Sequence, residues 1–114
     1  MNDCPFCAIA AGTIAADRIY EDEEVVAFRD INPQAPTHIL VIPREHIASA
    51  AELTRAQDPL WGRVLHVAQQ LAVSEDIDAS GFRLVTNVGA DAGQTVPHLH
   101  LHLLGGRAMS WPPG

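Results

Sequence analysis

The sequence predicts an α+β fold: an antiparallel sheet of about five strands, with a long helix and a short N-terminal helix covering one side of it. Three observations carry this. Five short runs rich in β-branched and large apolar residues, RIYED (18–22), EVVAFRD (24–30), HILVIPR (38–44), FRLVTN (82–87) and HLHLHLL (98–104), are separated by turn-forming stretches. One stretch, DPLWGRVLHVAQQLA (58–72), repeats apolar residues at three- and four-residue spacing. Strands and helices do not alternate, which fits α+β better than a βαβ repeat.

Taken in order, CPFCAIAAG (4–12) forms one short helix ended by Gly12. The first two strands are joined by the acidic turn EDEE and form a hairpin. DINPQAPT (30–37), with two prolines, is a shaped loop. The long helix starts with Asp58 as N-cap and Pro59 at its first position. Its face of Leu60, Trp61, Val64, Leu65, Ala68, Leu71 and Ala72 packs on the sheet, and His66, which matches no motif, is surface or core filler. NVGADAGQTVP (87–97) is a glycine-containing loop able to aim consecutive N–H groups at an anion.

The 114 residues suit one domain, 1–114, with 105–114 as a C-terminal tail. With 47% hydrophobic and 18% charged residues the composition is globular. A formal charge of −7 has the wrong sign for extended nucleic-acid binding, although a single phosphate needs only a few backbone N–H groups. No run approaches the roughly 20 apolar residues of a membrane span, and the N-terminus lacks a secretory signal, so a cytoplasmic location is expected. In a reducing cytosol, Cys4 and Cys7 point to metal or redox chemistry more than to a structural disulfide.

The most telling stretch is VPHLHLHLL (96–104). On a strand, His98, His100 and His102 share one face, about 6.5 to 7 Å apart, while Leu99, Leu101 and Leu103 enter the core. A polar face that is all histidine is not what a solvated strand requires.

With the loop before it, this pattern resembles the histidine triad family, whose signature is H-x-H-x-H followed by two apolar residues. It is closest to the Hint branch, the purine nucleoside phosphoramidases. The resemblance covers nearly the whole chain, including FRDINPQAPTHILVIPREHI (28–47), the loop through HLHLHLLGGR (87–107) and the terminal WPPG. It implies a nucleophile at His100 and a phosphate contact from His102. His38 then orients the nucleophile, and Thr95, usually serine in eukaryotic relatives, assists the departing amine. Gly93, Gln94 and Thr95 supply backbone donors to the phosphate, and Asn87 a side-chain amide. Asp30 takes the ribose hydroxyls, and Phe6, Ile9, Phe28 and Ile31 form a slot for the base.

The resemblance further implies a structural zinc on Cys4, Cys7, His46 and His98, a closed set that leaves no position for a catalytic water. A redox C-x-x-C motif and plain burial of the thiols are the rival readings. No catalytic cofactor is implied. The expected partners are a purine nucleotide substrate and a second copy of the chain, in a homodimer that joins two sheets into a larger one. Its C-terminal RAMSWPPG would reach toward the partner's site.

The expected activity is cleavage of the P–N bond of a nucleoside 5′-phosphoramidate, adenosine-type preferred, through a nucleotidyl-histidine. The alternatives are a non-enzymatic nucleotide-binding module, a dinucleotide polyphosphate hydrolase of the same superfamily, and a metalloenzyme whose three strand histidines chelate one metal. The last is weakened by the divergence of alternate strand positions.

Overall fold

All seven residues of one strand, β3 (Thr37–Pro43), are buried, and the rest of the molecule is arranged around it. The computed structural model describes residues 3–114. In chain order the elements are α1 (Pro5–Ala11), β1 (Arg18–Glu21), β2 (Val25–Arg29), β3, α2 (Asp58–Ser74), β4 (Phe82–Val85) and β5 (Leu101–Gly105). Short 3-10 turns lie at Ala50–Glu52, Arg55–Gln57 and Ala90–Ala92. The strands form one antiparallel sheet in the order β1-β2-β3-β5-β4.

The continuous apolar run of β3 reflects cover on both faces. On one face Val25, Ala27, Ile39, Val41, Leu101 and Leu103 pack against Val64, Val67, Ala68, Leu71 and Ala72 of α2. On the other, Val26, Phe28, Leu40 and Ile42 pack against Cys4, Phe6, Ile9 and Ala10. The expectation of helices on one side is therefore corrected: α1 and α2 lie on opposite faces. Phe6, Ile9 and Ala10 are the buried residues of the seven-residue α1, which begins at Pro5 and is capped by Gly12 in the left-handed region, φ 82°.

Of the expected helix face Val64, Ala68, Leu71 and Ala72 are buried and Leu60, Trp61 and Leu65 half-buried, while Val67, outside that set, is fully buried and His66 lies on the surface. Asp58 is the first helical residue, with Gln57 at the cap position. Tyr20, Asp22 and Arg63 tie the helix to the hairpin, with Arg63 donating to Tyr20 Oη at 2.6 Å and to Asp22 Oδ2 at 2.9 Å.

A larger correction concerns the histidine strand. β5 begins at Leu101, so only His102 is in the ladder, and pairing with β3 starts at Val41–Leu101. Upstream, Pro97 has no N–H to give and His98 N–H turns back to Val96 C=O. Leu99 N–H goes to Ile47 C=O at 2.6 Å, and the carbonyl of Pro43 takes a histidine ring in place of a ladder bond. Leu99, Leu101 and Leu103 are buried as expected.

Candidate active site and metal centre

The histidines face the α1 side of the sheet, and fixed donors and acceptors around them decide which ring nitrogen carries each proton. His100 Nδ1 lies 2.7 Å from the carbonyl oxygen of His98. A carbonyl only accepts, so Nδ1 is protonated and the lone pair of His100 is on Nε2. Gln34 N–H donates to His38 Nδ1 at 3.0 Å, which places the His38 proton on Nε2. That proton points to His102 Nδ1 at 2.9 Å, with Asp30 Oδ2 farther off at 3.5 Å. His102 therefore accepts at Nδ1 and keeps its own N–H on Nε2.

Burial supports neutral rings. It holds His102 down to about 4, helped by the neighbouring His100 and His38, and it also lowers His38, against the opposing pull of Asp30. The rings of His100 and His102 are 5.0 Å apart. Asp30, His38 and His102 cluster closely enough to suggest a metal site. However, the lone pair His38 would need at Nε2 is replaced by a proton, because its Nδ1 already accepts Gln34 N–H. A hydrogen-bonded chain is the better description.

Two cavities flank these rings. One, of about 410 Å³, is lined by Phe6, Ile9, Phe28, Asp30, Ile31 and Thr95 among others, and so brings together the residues expected for base and ribose. Ile31 is a fully exposed rim residue and Phe6 and Phe28 are buried walls. The other cavity, of about 280 Å³, is lined by Gln34, His38, Asn87, His102, Arg83 and Arg107, with Met109 and Pro113 of the tail. His100 lies between them: its ring is 5.1 Å from that of Phe6, a wall of the first, and 5.0 Å from that of His102, a wall of the second.

The loop before the triad is braced from within. Gly93 N–H donates to Ala90 C=O and Gln94 N–H to Gly89 C=O, so these two of the three expected phosphate donors have intramolecular acceptors. The Gln94 amide donates to Ala48 C=O and Val96 C=O and accepts from Gly89 N–H. Asn87 donates to Ala92 C=O at 2.8 Å. Thr95 is exposed beside the larger cavity. The tail packs on its own chain, with Arg83 donating to Ser110 C=O and Arg107 to Gln34 C=O and Ala108 C=O. Neither arginine was singled out by the sequence, which gives no clue to the β4–β5 register that sets Arg83 opposite Leu104, on the face of His102.

The N-terminal cluster has the donor set and spacing of a closed tetrahedral site. Cys4 Sγ is 3.3 Å and Cys7 Sγ 3.4 Å from His98 Nδ1, and Cys7 Sγ is 3.2 Å from His46 Nδ1. Ligands of a tetrahedral zinc with bonds of about 2.0 to 2.3 Å are roughly 3.3 to 3.8 Å apart, so the residues fit. The fit includes the tautomer. His98 Nε2 lies 2.8 Å from Pro43 C=O and must carry the proton, which leaves Nδ1 a lone pair facing both sulfurs. His98 and His102 thus face different partners on either side of His100, and the three triad rings do not converge on one metal.

Residues 11–109 match the HIT domain family. The chain belongs to the HIT family. It is 48% identical over 113 residues to an uncharacterized HIT-like protein of Synechococcus elongatus, covering 99% of this chain and 98% of that one. It is 45% identical over 118 residues to a 14 kDa zinc-binding protein of Zea mays, covering 100% and 91%. A solved HIT family hydrolase from Legionella pneumophila superposes with a TM-score of 0.97 at 50% identity, over 98% of this HIT protein and 100% of that chain. A histidine triad nucleotide-binding protein from Candida albicans gives 0.83 at 30% identity, over 96% and 83%.

Proposed function

We propose that this HIT protein is a nucleotide-binding hydrolase that cleaves the P–N bond of nucleoside 5′-phosphoramidates, adenosine-type preferred, through a nucleotidyl-histidine on His100. The observation that carries the reading is the hydrogen bond from His100 Nδ1 to the His98 carbonyl, which leaves the lone pair on Nε2 of a ring set between Phe6 of one cavity and His102 of the other. The hydrolase and nucleotide-binding descriptions of its structural relatives support it.

In this reading the larger cavity takes the nucleoside, with the base between Phe6, Ile9, Phe28 and Ile31 and the ribose hydroxyls on Asp30. His100 Nε2 attacks phosphorus and the P–N bond breaks. The amine leaves with a proton relayed through the Thr95 hydroxyl, which regains one from the water that attacks in the second step. His102, Asn87 and the main chain of Gly93, Gln94 and Thr95 hold phosphate oxygens as charge develops, the Gly93 and Gln94 N–H groups exchanging their turn bonds for the substrate. Water then attacks the nucleotidyl-imidazole, releasing the nucleoside monophosphate and restoring His100. His38, expected to orient the nucleophile, instead contacts His102 and positions it, while the His98 carbonyl holds His100.

Cys4, Cys7, His46 and His98 would hold a structural zinc, which supplies a cross-link between α1 and the chain leading into β5 and takes no part in bond cleavage. The protein is read as one domain with a tail at 105–114, cytoplasmic, and a homodimer. Exposed Phe82 and Leu84 on the edge strand β4, with exposed Trp111, support the dimer. Among the described residues no helix is long and apolar enough to cross a membrane.

The test is turnover of adenosine 5′-phosphoramidate by the wild type and by His100→Ala, with AMP binding measured on both. Loss of turnover by at least about a thousandfold with binding retained is expected. Equal turnover would remove His100 from the chemistry.

A further inference from the structure

All seven cationic side chains of this acidic protein are arginines. Arg18, Arg29, Arg44 and Arg63 each have a carboxylate within 4.0 Å. Arg55, Arg83 and Arg107 do not: Arg55 is exposed in the turn before α2, and among the described residues the hydrogen bonds of Arg83 and Arg107 go to the neutral carbonyls of Ser110, Gln34 and Ala108. Arg83 and Arg107 both line the 280 Å³ cavity that His102 and His38 also line. In a chain with twice as many acidic as basic residues, two guanidiniums without a carboxylate partner in one cavity amount to a local positive site.

Register fixes one of them. Arg83 is opposite Leu104, and Val85 opposite His102, so Arg83 is the diagonal neighbour of His102 on the same face of the sheet. Arg107 closes the same space through Gln34, the residue whose N–H sets the His38 tautomer. Each guanidinium keeps N–H groups beyond those given to carbonyls, in the planar fork that suits a carboxylate.

Resting on the phosphoramidase reading, we infer that this cavity is the leaving-group subsite and that Arg83 and Arg107 select amines bearing an anionic group, namely a carboxylate. A second nucleotide is also anionic, and the experiment below separates it from an amine that bears a carboxylate. The leaving amine is next to His102 and its carboxylate points outward, between β4 and the tail.

The test compares adenosine 5′-phosphoramidates of β-alanine and of β-alaninamide, which differ in charge and hardly in shape. Wild-type kcat/KM should favour the carboxylate by about tenfold, a typical return for a charge-assisted contact at a partly exposed site. Arg83→Gln and Arg107→Gln should each bring the ratio toward one, and the corresponding lysine variants should restore part of it. Because the ratio is taken within each variant, a general loss from a disturbed tail cancels. Binding of both compounds to His100→Ala by calorimetry separates the two layers. Preference in binding without turnover of either compound by the wild type would overturn the phosphoramidase reading and keep the subsite. Turnover of both at a ratio near one, unchanged in the glutamine variants, would overturn the subsite and keep the reading. Faster hydrolysis of diadenosine polyphosphates than of either amide would overturn the assignment of a small amine.

Discussion

Each histidine of the site has one nitrogen committed to a group whose role is fixed, and the other is left for chemistry. Pro43 C=O commits His98, His98 C=O commits His100, and Gln34 N–H commits His38 and through it His102. The alternating histidines were legible in the sequence because nothing else explains them. The partners that set their protons were not, since Pro43 and Gln34 carry no signal until the fold delivers their main-chain groups. Arg83 and Arg107 were hidden for the same reason. One outcome follows from the buried neutral rings. His102 is held at about 4 in the folded state against 6.5 when exposed, and His38 is also lowered. Between those values the unfolded chain binds more protons than the folded one, so their contribution to stability is complete above about pH 6.5 and is lost as pH falls toward 4. Thermal melts from pH 7.5 to 4.5 should therefore show a steeper acid decline for the wild type than for His102→Gln; parallel curves would contradict it.

At the scale of elements, both helices and all five strands were legible from periodicity and turn residues, and the errors lie where tertiary contacts compete with local pattern. β5 starts three residues late because Pro97 breaks the ladder and because Pro43 C=O and Ile47 C=O take bonds from His98 and Leu99. The apolar length of β3 already signalled cover on both faces, but the seven-residue α1 is too short to advertise itself as a packing layer. A helix of that length is not stable alone. It is held by Phe6, Ile9 and Ala10 in the core and, in our reading, by zinc on Cys4 and Cys7. Protein purified without chelator should carry one zinc per chain, and its removal should lower the melting temperature by about 5 °C or more while phosphoramidate turnover does not track bound metal. Metal-free protein with both thiols readily titrated would refute the site. A second outcome concerns the end of β5. A Cβ at Gly105 would overlap Ile77 Cδ1 and lie 3.1 Å from Ile77 Cβ. Gly105→Ala should cost about 1 to 3 kcal/mol in denaturant unfolding, the usual range for overpacking a closed core; an unchanged midpoint would show that Ile77 can move aside.

For the whole molecule, the net charge of −7 gives no support for extended nucleic-acid binding, and the sheet order leaves β1 and β4 as edges. β4 is the one that exposes two large apolar residues, Phe82 and Leu84. Pairing across a two-fold axis would bury that edge, and sedimentation at micromolar concentration should find a dimer; a monomer would contradict the proposal. From Trp111 and its prolines the tail was expected to reach toward a partner's site; within this chain Trp111 is exposed. That Met109 and Pro113 wall a cavity beside the chain's own His102 was not legible, because the arginine contacts that hold the tail there depend on the folded sheet. Deleting residues 108–114 should accordingly change the ranking of leaving groups several-fold while shifting the melting temperature little. Unchanged ranking would separate the tail from the site.

In our reading His100 Nε2 bonds to phosphorus. Brief mixing of the protein with an adenosine 5′-phosphoramidate labelled at phosphorus, followed by denaturation under alkaline conditions, should leave label on the chain. That label should be released by acid, as expected of a phosphorus–imidazole bond, and should map to the peptide carrying His100. None should be retained by His100→Ala. Turnover at a normal rate with no label trapped at any time, or equal trapping by the alanine variant, would contradict the account.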